Sequence, residues 1–256
     1  MKVSAIVVVT GSDETALMLR SAPALLPQVD ELVIVANGPG SADRDLPAGA
    51  RVLRNERPKG FSANINAGVA ATGAEYVVVS NPDAVPEPDA MAELIAFADA
   101  HPRCGVAGPK MINPDGTLQA SRRRFPTIAG SLVRRTPLRL LFRPLRWQRG
   151  HYLLDAPSDE PMQVDTMLGA FLLMRRTMLE ELGGWDPGYR LYVDDIDFNY
   201  RAMQAGWERW WVPSAVVHHE YQAVIDKRFL TRRNWWHLKA MGRFLRKHPE
   251  RLLALW

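Results

Sequence analysis

Cysteine is almost absent from this sequence. Its 256 residues include a single cysteine, Cys104, so the chain cannot form an internal disulfide and has no cysteine cluster that would hold a structural metal. Proteins without disulfides are typical of reducing compartments. We therefore expect the protein to lie in the cytoplasm.

Long hydrophobic runs are also missing. The best candidate, residues 167–174, is far shorter than the roughly 18 apolar residues that a membrane-spanning helix needs. The apolar residues 3–9 lack the small-residue cleavage site of a secretion signal and run directly into a polar stretch. We expect residues 3–9 to form a buried strand and the chain not to cross a membrane.

Acidic residues are scarce in two segments. Residues 121–150 hold nine Arg and no acid, and residues 227–256 hold nine Lys or Arg against Glu250 alone, although the net charge of the chain is only +4. Both segments also carry aromatic residues, and 229–245 has the pattern of a helix, as in segments that bind anionic membrane surfaces. The alternative is a solvated Arg-rich surface. Nucleic acid is not expected, because no recognised nucleic-acid-binding module is present.

The first 110 residues alternate β-branched runs with helical patterns. This alternation predicts an α/β fold, in which helices flank a mostly parallel sheet. No Gly-x-Gly-x-x-Gly follows the first strand, which argues against a nucleotide-dependent oxidoreductase. The predicted strands are 3–9, 31–36, one near Val52, and 76–80, and the predicted helices are 13–26, 61–71 and 91–100.

The second half of the chain begins with turn chemistry. Gly-Pro-Lys at 108–110 and Asn-Pro-Asp-Gly at 113–116 both predict turns. Ordered structure is predicted to return later, as a buried segment at 164–174, a helix at 175–182, a helix that begins at the acidic cluster near 194 and ends at Gly206, and a strand at 207–212.

Carboxylates at two places indicate an active site. Asp83 follows the strand 76–80, and ligands of open α/β sheets bind at the carboxyl ends of strands; by itself, Asn-Pro-Asp also fits a simple turn. Asp194, Asp195 and Asp197 crowd the first turn of a predicted helix. Helix capping explains some acid there, but crowding also raises the pKa of at least one carboxyl group, which suits a general base near neutral pH.

Two adjacent histidines follow the last predicted strand. His218 and His219 point to opposite faces if the strand continues, so at most one of them meets the same site as Asp83. A carboxylate with an imidazole suits Mg²⁺ or Mn²⁺, which favour oxygen ligands with occasional nitrogen.

An ordered set of motifs resembles the family 2 glycosyltransferases, in particular the bacterial rhamnosyltransferase-like branch. Each motif is weak alone, but together they span residues 3–220 in the order of the family. They are Val-Ile-Val-Ala-Asn-Gly (33–38), Lys-Gly-Phe-Ser-Ala-Asn-Ile-Asn-Ala-Gly (59–68), Asn-Pro-Asp (81–83), Gly-Ala-Phe-Leu-Leu-Met-Arg-Arg (169–176), Leu-Gly-Gly-Trp-Asp (182–186), Leu-Tyr-Val-Asp-Asp-Ile-Asp-Phe (191–198) and Val-Pro-Ser-Ala-Val-Val-His-His (212–219).

The resemblance implies a GT-A fold and a role for each matched residue. Asp195 matches the catalytic base, supported by Asp194 and Asp197, and Asp83 with His219 matches the site of Mg²⁺ or Mn²⁺, with His218 as second choice for the histidine. The donor side would comprise Thr10, Asn37, Gly60, Asn66 and Asn81, and the acceptor side Gly169, Ala170, Trp185 and Asp186.

The implied reaction is an inverting transfer of a sugar from a nucleoside diphosphate to a lipid-linked or cell-envelope glycan. Rhamnose is the sugar that this branch of the family suggests. The glycosyltransferase domain would comprise residues 1–222, with a donor half at 1–110, an acceptor half at 111–222 and a basic extension at 223–256. Two departures, Ala36 for a base-recognising Asp and Asn81 for the first acid of Asp-x-Asp, motivate an alternative: a GT-A-shaped scaffold without turnover.

Overall fold

The computed structural model describes residues 1–43, 45–127, 146–220 and 232–252, without the side chains of 146–148, 232 and 233. Most of the basic segment 121–150 and the predicted helix start at 229–231 lie outside the described residues. The helices are α1 Gly11–Leu25, α2 Phe61–Ala70, α3 Ala90–Ala100, α4 Arg146–His151, α5 Arg176–Leu182, α6 Asp194–Gln204 and α7 Arg232–Lys247. The strands are β1 Val3–Val9, β2 Glu31–Asn37, β3 Arg51–Asn55, β4 Tyr76–Ser80, β5 Ala84–Pro86, β6 Cys104–Ile112, β7 Arg122–Arg123, β8 Met162–Gln163, β9 Thr166–Met167, β10 Phe171–Arg175 and β11 Glu208–His219.

One mixed sheet organises the described residues, which confirms the predicted α/β class. Its order is β3-β2-β1-β4-β10-β6-β11-β5, with β8 beside β11. The pairs β1–β2, β1–β4, β2–β3 and β6–β11 are parallel, whereas β10 runs antiparallel to both of its neighbours. The β-branched runs of β1 and β4 are wholly buried, as expected for central strands covered on both faces.

Helices cover both faces of this sheet. One face packs against α1 and α3, whose Met18 and Leu94 lie in one apolar cluster. The other face packs against α2, α5 and α6, which contribute Ile65, Met178 and Phe198 to a second cluster. The sheet is therefore the rigid layer from which the polar loops project.

Two prolines lie within strands, where the sequence predicted a turn and a strand end. Pro109 belongs to β6, and β10 pairs with β6 at Val106 and Ala107, so the missing N–H of Pro109 is not needed on that side. Pro213 lies inside β11, where the pairing shifts between Val212 and Val216. Such an irregularity tolerates proline, and β11 therefore continues to His219.

The C-terminal helix α7 packs onto the rest of the fold. Its Ala240 and Phe244 join Phe125, Tyr189 and Tyr200 in a third buried cluster. Phe244 is fully buried, and burial of such a side chain contributes roughly 1.5–3 kcal/mol. None of the helices among the described residues is long and apolar enough to span a bilayer.

Candidate active site

Polar residues gather where β1, β2, β4 and β11 end. Thr10 follows β1, Asn37 ends β2, Asn81 follows β4 and His219 ends β11. The strands β1, β2 and β4 are mutually parallel, and β11 has the same direction through its pairing with β6. Residues that are far apart in sequence therefore meet at one edge of the sheet, as ligand sites of open α/β sheets do.

Asp83 and His219 face each other at this edge. Nε2 of His219 lies 3.4 Å from Oδ1 of Asp83 and 3.3 Å from the amide nitrogen of Asn81. His218 has a different partner: its side chain is exposed, and its Nε2 lies 2.8 Å from a carboxylate oxygen of Glu87. Both histidines nevertheless line the same cavity.

Gln119 orients the His219 ring. Nδ1 of His219 lies 2.9 Å from the amide oxygen of Gln119, and Gln119 in turn donates to Oδ1 of Asn113 at 2.8 Å. An amide oxygen accepts, so Nδ1 carries the proton and Nε2 presents its lone pair toward Asp83. The sequence analysis missed Gln119, although it lies just beyond the Asn-Pro-Asp-Gly turn.

A divalent cation fits this arrangement. A carboxylate oxygen and an imidazole lone pair that face each other across 3.4 Å are both ligands of Mg²⁺ or Mn²⁺, and Asn81 adds an amide. Among the described residues, no group of three or more His, Cys, Asp or Glu side chains is placed to hold a metal ion. The protein ligands that this edge offers to a cation are therefore the Asp83–His219 pair and the neighbouring amide of Asn81.

A cavity of about 240 Å³ opens beside this pair. Asp83 and His219 line it together with Leu17 and Arg20 of α1 and with Glu220. The two ligand side chains are therefore reachable from outside the core, although each is largely buried.

A strained turn introduces the acidic cluster. Tyr192 and Val193, just before α6, have φ values of 69° and 64°, a left-handed conformation that is an outlier for a β-branched residue such as valine. Such strain costs about 1–3 kcal/mol per residue and occurs mainly at functional sites. Here it sets the direction in which α6 begins, and with it the orientation of the acids in its first turn.

Asp195 lies against a glycine-bearing loop. Its Oδ2 accepts the N–H of Gly169 at 3.2 Å, and its Oδ1 accepts the N–H of Ile196 at 2.8 Å. A Cβ on Gly169 would lie 3.3 Å from Cβ of Asp195, so glycine permits the close approach. Burial raises the pKa of Asp195, and the charge of Arg123 opposes that rise.

Asp194 is more deeply buried than its neighbour and only half satisfied. Its Oδ1 accepts the N–H of Asp195 at 3.1 Å, whereas Oδ2 is buried without a hydrogen-bond partner. Burial first, and then the charge of Asp195, raise the pKa of Asp194 to about 7. Burial thus raises the pKa of both carboxyl groups, and a general base works best when its pKa lies near the working pH.

Asp197 has the opposite environment. It is fully buried and accepts hydrogen bonds from Arg201, Lys247 and His248, each at 2.9 Å. Burial favours the neutral acid, but these hydrogen bonds outweigh it and hold the pKa of Asp197 below its usual value. Asp197, which the sequence predicted to support the base, is therefore bound by residues of the C-terminal segment.

Arg123 is a further charged group near the base that the sequence analysis did not single out. Its strand β7 pairs with β9, with Arg123 opposite Thr166, and the N–H of Leu168 donates to the carbonyl of Ser121 at 2.8 Å. This pairing places Arg123 beside the segment that leads into Gly169. The motifs of the sequence did not reveal it, because Arg123 lies in a run of three consecutive arginines.

The expected donor residues divide into two groups. Thr10 and Asn37 lie together: the Asn37 amide donates to Oγ1 of Thr10 at 3.4 Å, and its Oδ1 accepts the N–H of Lys59 at 2.8 Å. Ala36, by contrast, is buried in the core, so this position offers no polar group to a nucleotide base.

Asn66 and Gly60 contact protein instead. The Asn66 amide accepts the N–H of Trp185 at 2.8 Å and donates to its carbonyl at 2.7 Å. A Cβ on Gly60 would lie 2.9 Å from the carbonyl oxygen of Tyr189. Both residues therefore contact the 184–190 loop, and their place in the donor pocket stays a prediction.

Among the expected acceptor-side residues, Gly169 contacts Asp195 directly. The carbonyl of Ala170, next to Gly169, accepts the N–H of Asn81 at 2.7 Å, which links the acceptor side to the metal side. Trp185 is buried and stacks on Phe198 of α6, with ring centroids 4.5 Å apart and an interplanar angle of 7°.

Asp186 is bound to the C-terminal helix. Its carboxylate accepts hydrogen bonds from Arg243 at 2.9 and 3.0 Å and from Lys247 at 2.9 Å. Burial opposes ionisation, but these cations and the N–H of Gly188 lower the pKa of Asp186 to about 2. Asp186 was predicted to lie beside the acceptor, and in the structure it belongs to an ion-pair cluster with Arg243 and Lys247. The sequence did not indicate this cluster.

Sequence comparisons identify relatives. A sequence model described as "Glycosyltransferase like family 2" matches residues 2–241. The N-acetylglucosaminyl-diphospho-decaprenol L-rhamnosyltransferase of Mycobacterium tuberculosis is 30% identical over 197 residues, which are 69% of this chain and 59% of that protein. Rhamnosyltransferase WbbL of Escherichia coli K12 is 33% identical over 95 residues, 36% of this chain and 33% of that protein. The chain spans less than two thirds of either relative.

Solved structures share the fold. GalNAc-T7, crystallised with UDP, GalNAc and Mn²⁺, superposes with a TM-score of 0.65 at 18% identity, over 96% of this chain and 48% of that chain. The mannosyltransferase of Pyrobaculum calidifontis, with GDP-Man and Mn²⁺, gives a TM-score of 0.56 at 16% identity, over 87% and 57%. These likenesses confirm the predicted GT-A fold.

Proposed function

Because the chain belongs to the glycosyltransferase-like family 2, we propose that it transfers a sugar from a nucleoside diphosphate to an acceptor hydroxyl, with inversion at the anomeric carbon. One observation carries this proposal. The Asp83–His219 pair and Asp195, whose pKa is raised by burial, lie at the same end of the sheet. A hydrogen bond from the N–H of Asn81 to the carbonyl of Ala170 connects the two places.

Asp195 is the base of this reaction. In a single in-line displacement, the acceptor oxygen attacks the anomeric carbon, the bond to the diphosphate oxygen breaks, and Asp195 takes the acceptor proton. The N–H groups of Gly169 and Ile196 fix the orientation of its carboxylate. No covalent sugar intermediate is needed.

Asp83 and His219 would hold Mg²⁺ or Mn²⁺, with Asn81 beside them. When bound, the cation supplies charge neutralisation to the diphosphate leaving group. Gln119 keeps the His219 ring in the orientation that this role requires. Treatment with a chelator is therefore expected to abolish turnover, and added Mn²⁺ or Mg²⁺ to restore it.

The donor is a nucleoside diphosphate sugar, with rhamnose as the proposed sugar. The two curated relatives are named rhamnosyltransferases, and they motivate this choice. Thr10 and Asn37 are the proposed nucleotide contacts. Because the Ala36 side chain is buried, we expect weaker selection of the base than an Asp at this position would give.

The acceptor is a lipid-linked or cell-envelope glycan, and the protein docks on the inner face of the cytoplasmic membrane. The outer face of α7 supports this proposal. Trp235 and Leu238 are 67% and 51% exposed, and Lys239 is exposed beside them. An exposed aromatic and aliphatic pair with basic neighbours suits the interface of an anionic bilayer.

The test is nucleotide release by the purified full chain. A panel of nucleoside diphosphate sugars is supplied with Mn²⁺ and a membrane lipid extract, and the product is analysed by NMR for anomeric configuration. We expect acceptor-dependent release from one donor, an inverted product, and loss of release in Asp195→Asn. The exposed Asp159 provides a matched control, since Asp159→Asn should retain full activity.

The same assay separates the alternative function. If nucleotide binds but no donor turns over with any extract, the chain acts as a GT-A-shaped scaffold and the assignment of Asp195 as base is wrong. A product that keeps the anomeric configuration of the donor would contradict the single-displacement mechanism.

A further inference from the structure

The helix α7 has an inner face that membrane docking does not require. Ala240, Phe244 and His248 follow at intervals of four residues, which places them on one side of the helical path, and all three are buried. The rings of Phe244 and His248 contact the ring of Tyr200 on α6, with centroids 5.6 and 4.6 Å away. The helix is therefore fitted to α6.

A single ammonium group connects α7 to two segments of the acceptor side. Nζ of Lys247 lies 2.9 Å from Oδ2 of Asp186 and 2.9 Å from the carboxylate of Asp197. Arg243 adds a hydrogen bond to Asp186, and His248 adds one to Asp197, both at 2.9 Å. The loop that carries Asp186 and the helix that carries Asp197 are thus held by the same cation.

Both acids adjoin groups of the active site. Asp186 directly follows Trp185, and Asp197 lies two residues after Asp195 in the first turn of α6. Trp185 stacks on Phe198, and its ring also approaches the position that a Cβ on Gly169 would take, at 3.8 Å. A shift of either acid would therefore displace groups that contact the base or flank it.

Burial makes the connection stiff. The Asp197 side chain is 0% exposed, and a buried carboxylate without its cations is strongly unfavourable. Its hydrogen bond to the Tyr189 hydroxyl, at 3.2 Å, attaches the loop to the same centre. The first turn of α6 consequently has little freedom while α7 is docked.

We propose that α7 is part of the acceptor side of the active site and that Lys247 is a positioning residue, which holds Trp185 and Asp195 in register through Asp186 and Asp197. Lys247 contacts no reacting atom and acts through the two acids. The proposal rests on the proposed transferase activity for its kinetic consequence, but its structural consequence is measurable without turnover.

The test compares Lys247→Gln with Lys2→Gln. Lys2 also bridges two carboxylates, at 3.0 and 3.2 Å from Glu75 and Asp99, but it precedes β1 at the opposite edge of the sheet. With the full chain well below its melting temperature, we expect Lys247→Gln to lower kcat by about ten-fold to a hundred-fold, with little change in the KM of the donor. Lys247→Arg should restore part of kcat, and Lys2→Gln should leave it unchanged.

Hydrogen exchange supplies the second readout. Backbone amides in the first turn of α6 should exchange faster in Lys247→Gln than in wild type or Lys2→Gln. Unchanged exchange would overturn the proposal whether or not the wild type transfers a sugar. If exchange became faster and the melting temperature fell while kcat stayed within two-fold of wild type, Lys247 would only stabilise the fold, and the positioning role would be wrong. If the wild type turned over no donor, the proposed function would be wrong. The exchange result would then decide whether Lys247 holds the first turn of α6.

Discussion

The first turn of α6 has two sides, and its carboxylates behave differently on each. On the side that faces the Gly169 loop, burial raises the pKa values of Asp194 and Asp195, and among the described residues their carboxylates accept hydrogen bonds from backbone N–H groups. On the side that faces α7, Asp197 is fully buried, but hydrogen bonds from His248, Lys247 and Arg201 hold its pKa below its usual value. The same chemical group, two residues apart, thus has a raised pKa on the side of the proposed base and a lowered pKa on the side that is bound to α7.

The difference lies in what each carboxylate contacts. Backbone N–H groups orient Asp195, and the charge of Arg123 only partly offsets the effect of burial on its pKa, whereas Arg201 and Lys247 bind the carboxylate of Asp197 directly. A general base needs a pKa near the working pH, while a buried structural charge needs full pairing. Substitutions on the two sides should therefore damage different properties.

The largest expected effect is on turnover. Asp195→Asn removes the proposed base but retains its size and its ability to accept the Gly169 N–H, so we expect a loss of about 10²–10⁴ in kcat with a normal circular dichroism spectrum. Donor binding, measured by calorimetry, should persist. A variant that retained more than a tenth of wild-type kcat would transfer the role of base to another group, with Asp194 the first candidate.

The next effect is on stability, on the other side of the turn. Asp197→Ala leaves Arg201 and Lys247 without their shared carboxylate, and breaking a buried ion pair in this way costs about 3–5 kcal/mol. For a chain of this size we expect a melting temperature lower by roughly 6 °C or more, measured by thermal denaturation.

Asp155→Ala is the matched surface substitution. Asp155 pairs with Arg149, but its side chain is 62% exposed, and exposed pairs contribute little to stability. Equal losses in the two variants would mean that the Asp197 cluster behaves like a surface pair. The contrast between the two sides of α6 would then lose its physical basis.

Much of this arrangement could be predicted from sequence, because its signals are local. The β-branched runs gave the strands 3–9 and 76–80 with their observed bounds. The alternation of His218 and His219 predicted that at most one of them meets the site of Asp83, and the family motif singled out His219, which lies 3.4 Å from Asp83. In each case the decisive information lies within a few residues of the side chain concerned.

The remainder depends on distant partners. Nothing near Asp197 indicates that Lys247 and His248, 50 and 51 residues away, bind its carboxylate. The basic pattern of residues 227–256 indicated a surface, yet Lys247 and His248 of this segment lie against acids of the core fold. Asn66 shows the same limit, since its partner Trp185 is 119 residues away.

The smallest expected effect is a displacement of the pH–rate profile. A base must be deprotonated, so the acid limb of kcat/KM follows the pKa of the Asp194–Asp195 pair. Arg123 lowers the pKa of Asp195, so Arg123→Gln should raise that pKa and move the acid limb to higher pH. Asp194→Asn removes a neighbouring negative charge, so it should lower the pKa and move the limb to lower pH. If both variants moved the acid limb in the same direction, or neither moved it, the charges of Arg123 and Asp194 would not set the pKa of Asp195. The proposed contrast between the two sides of α6 would then fail.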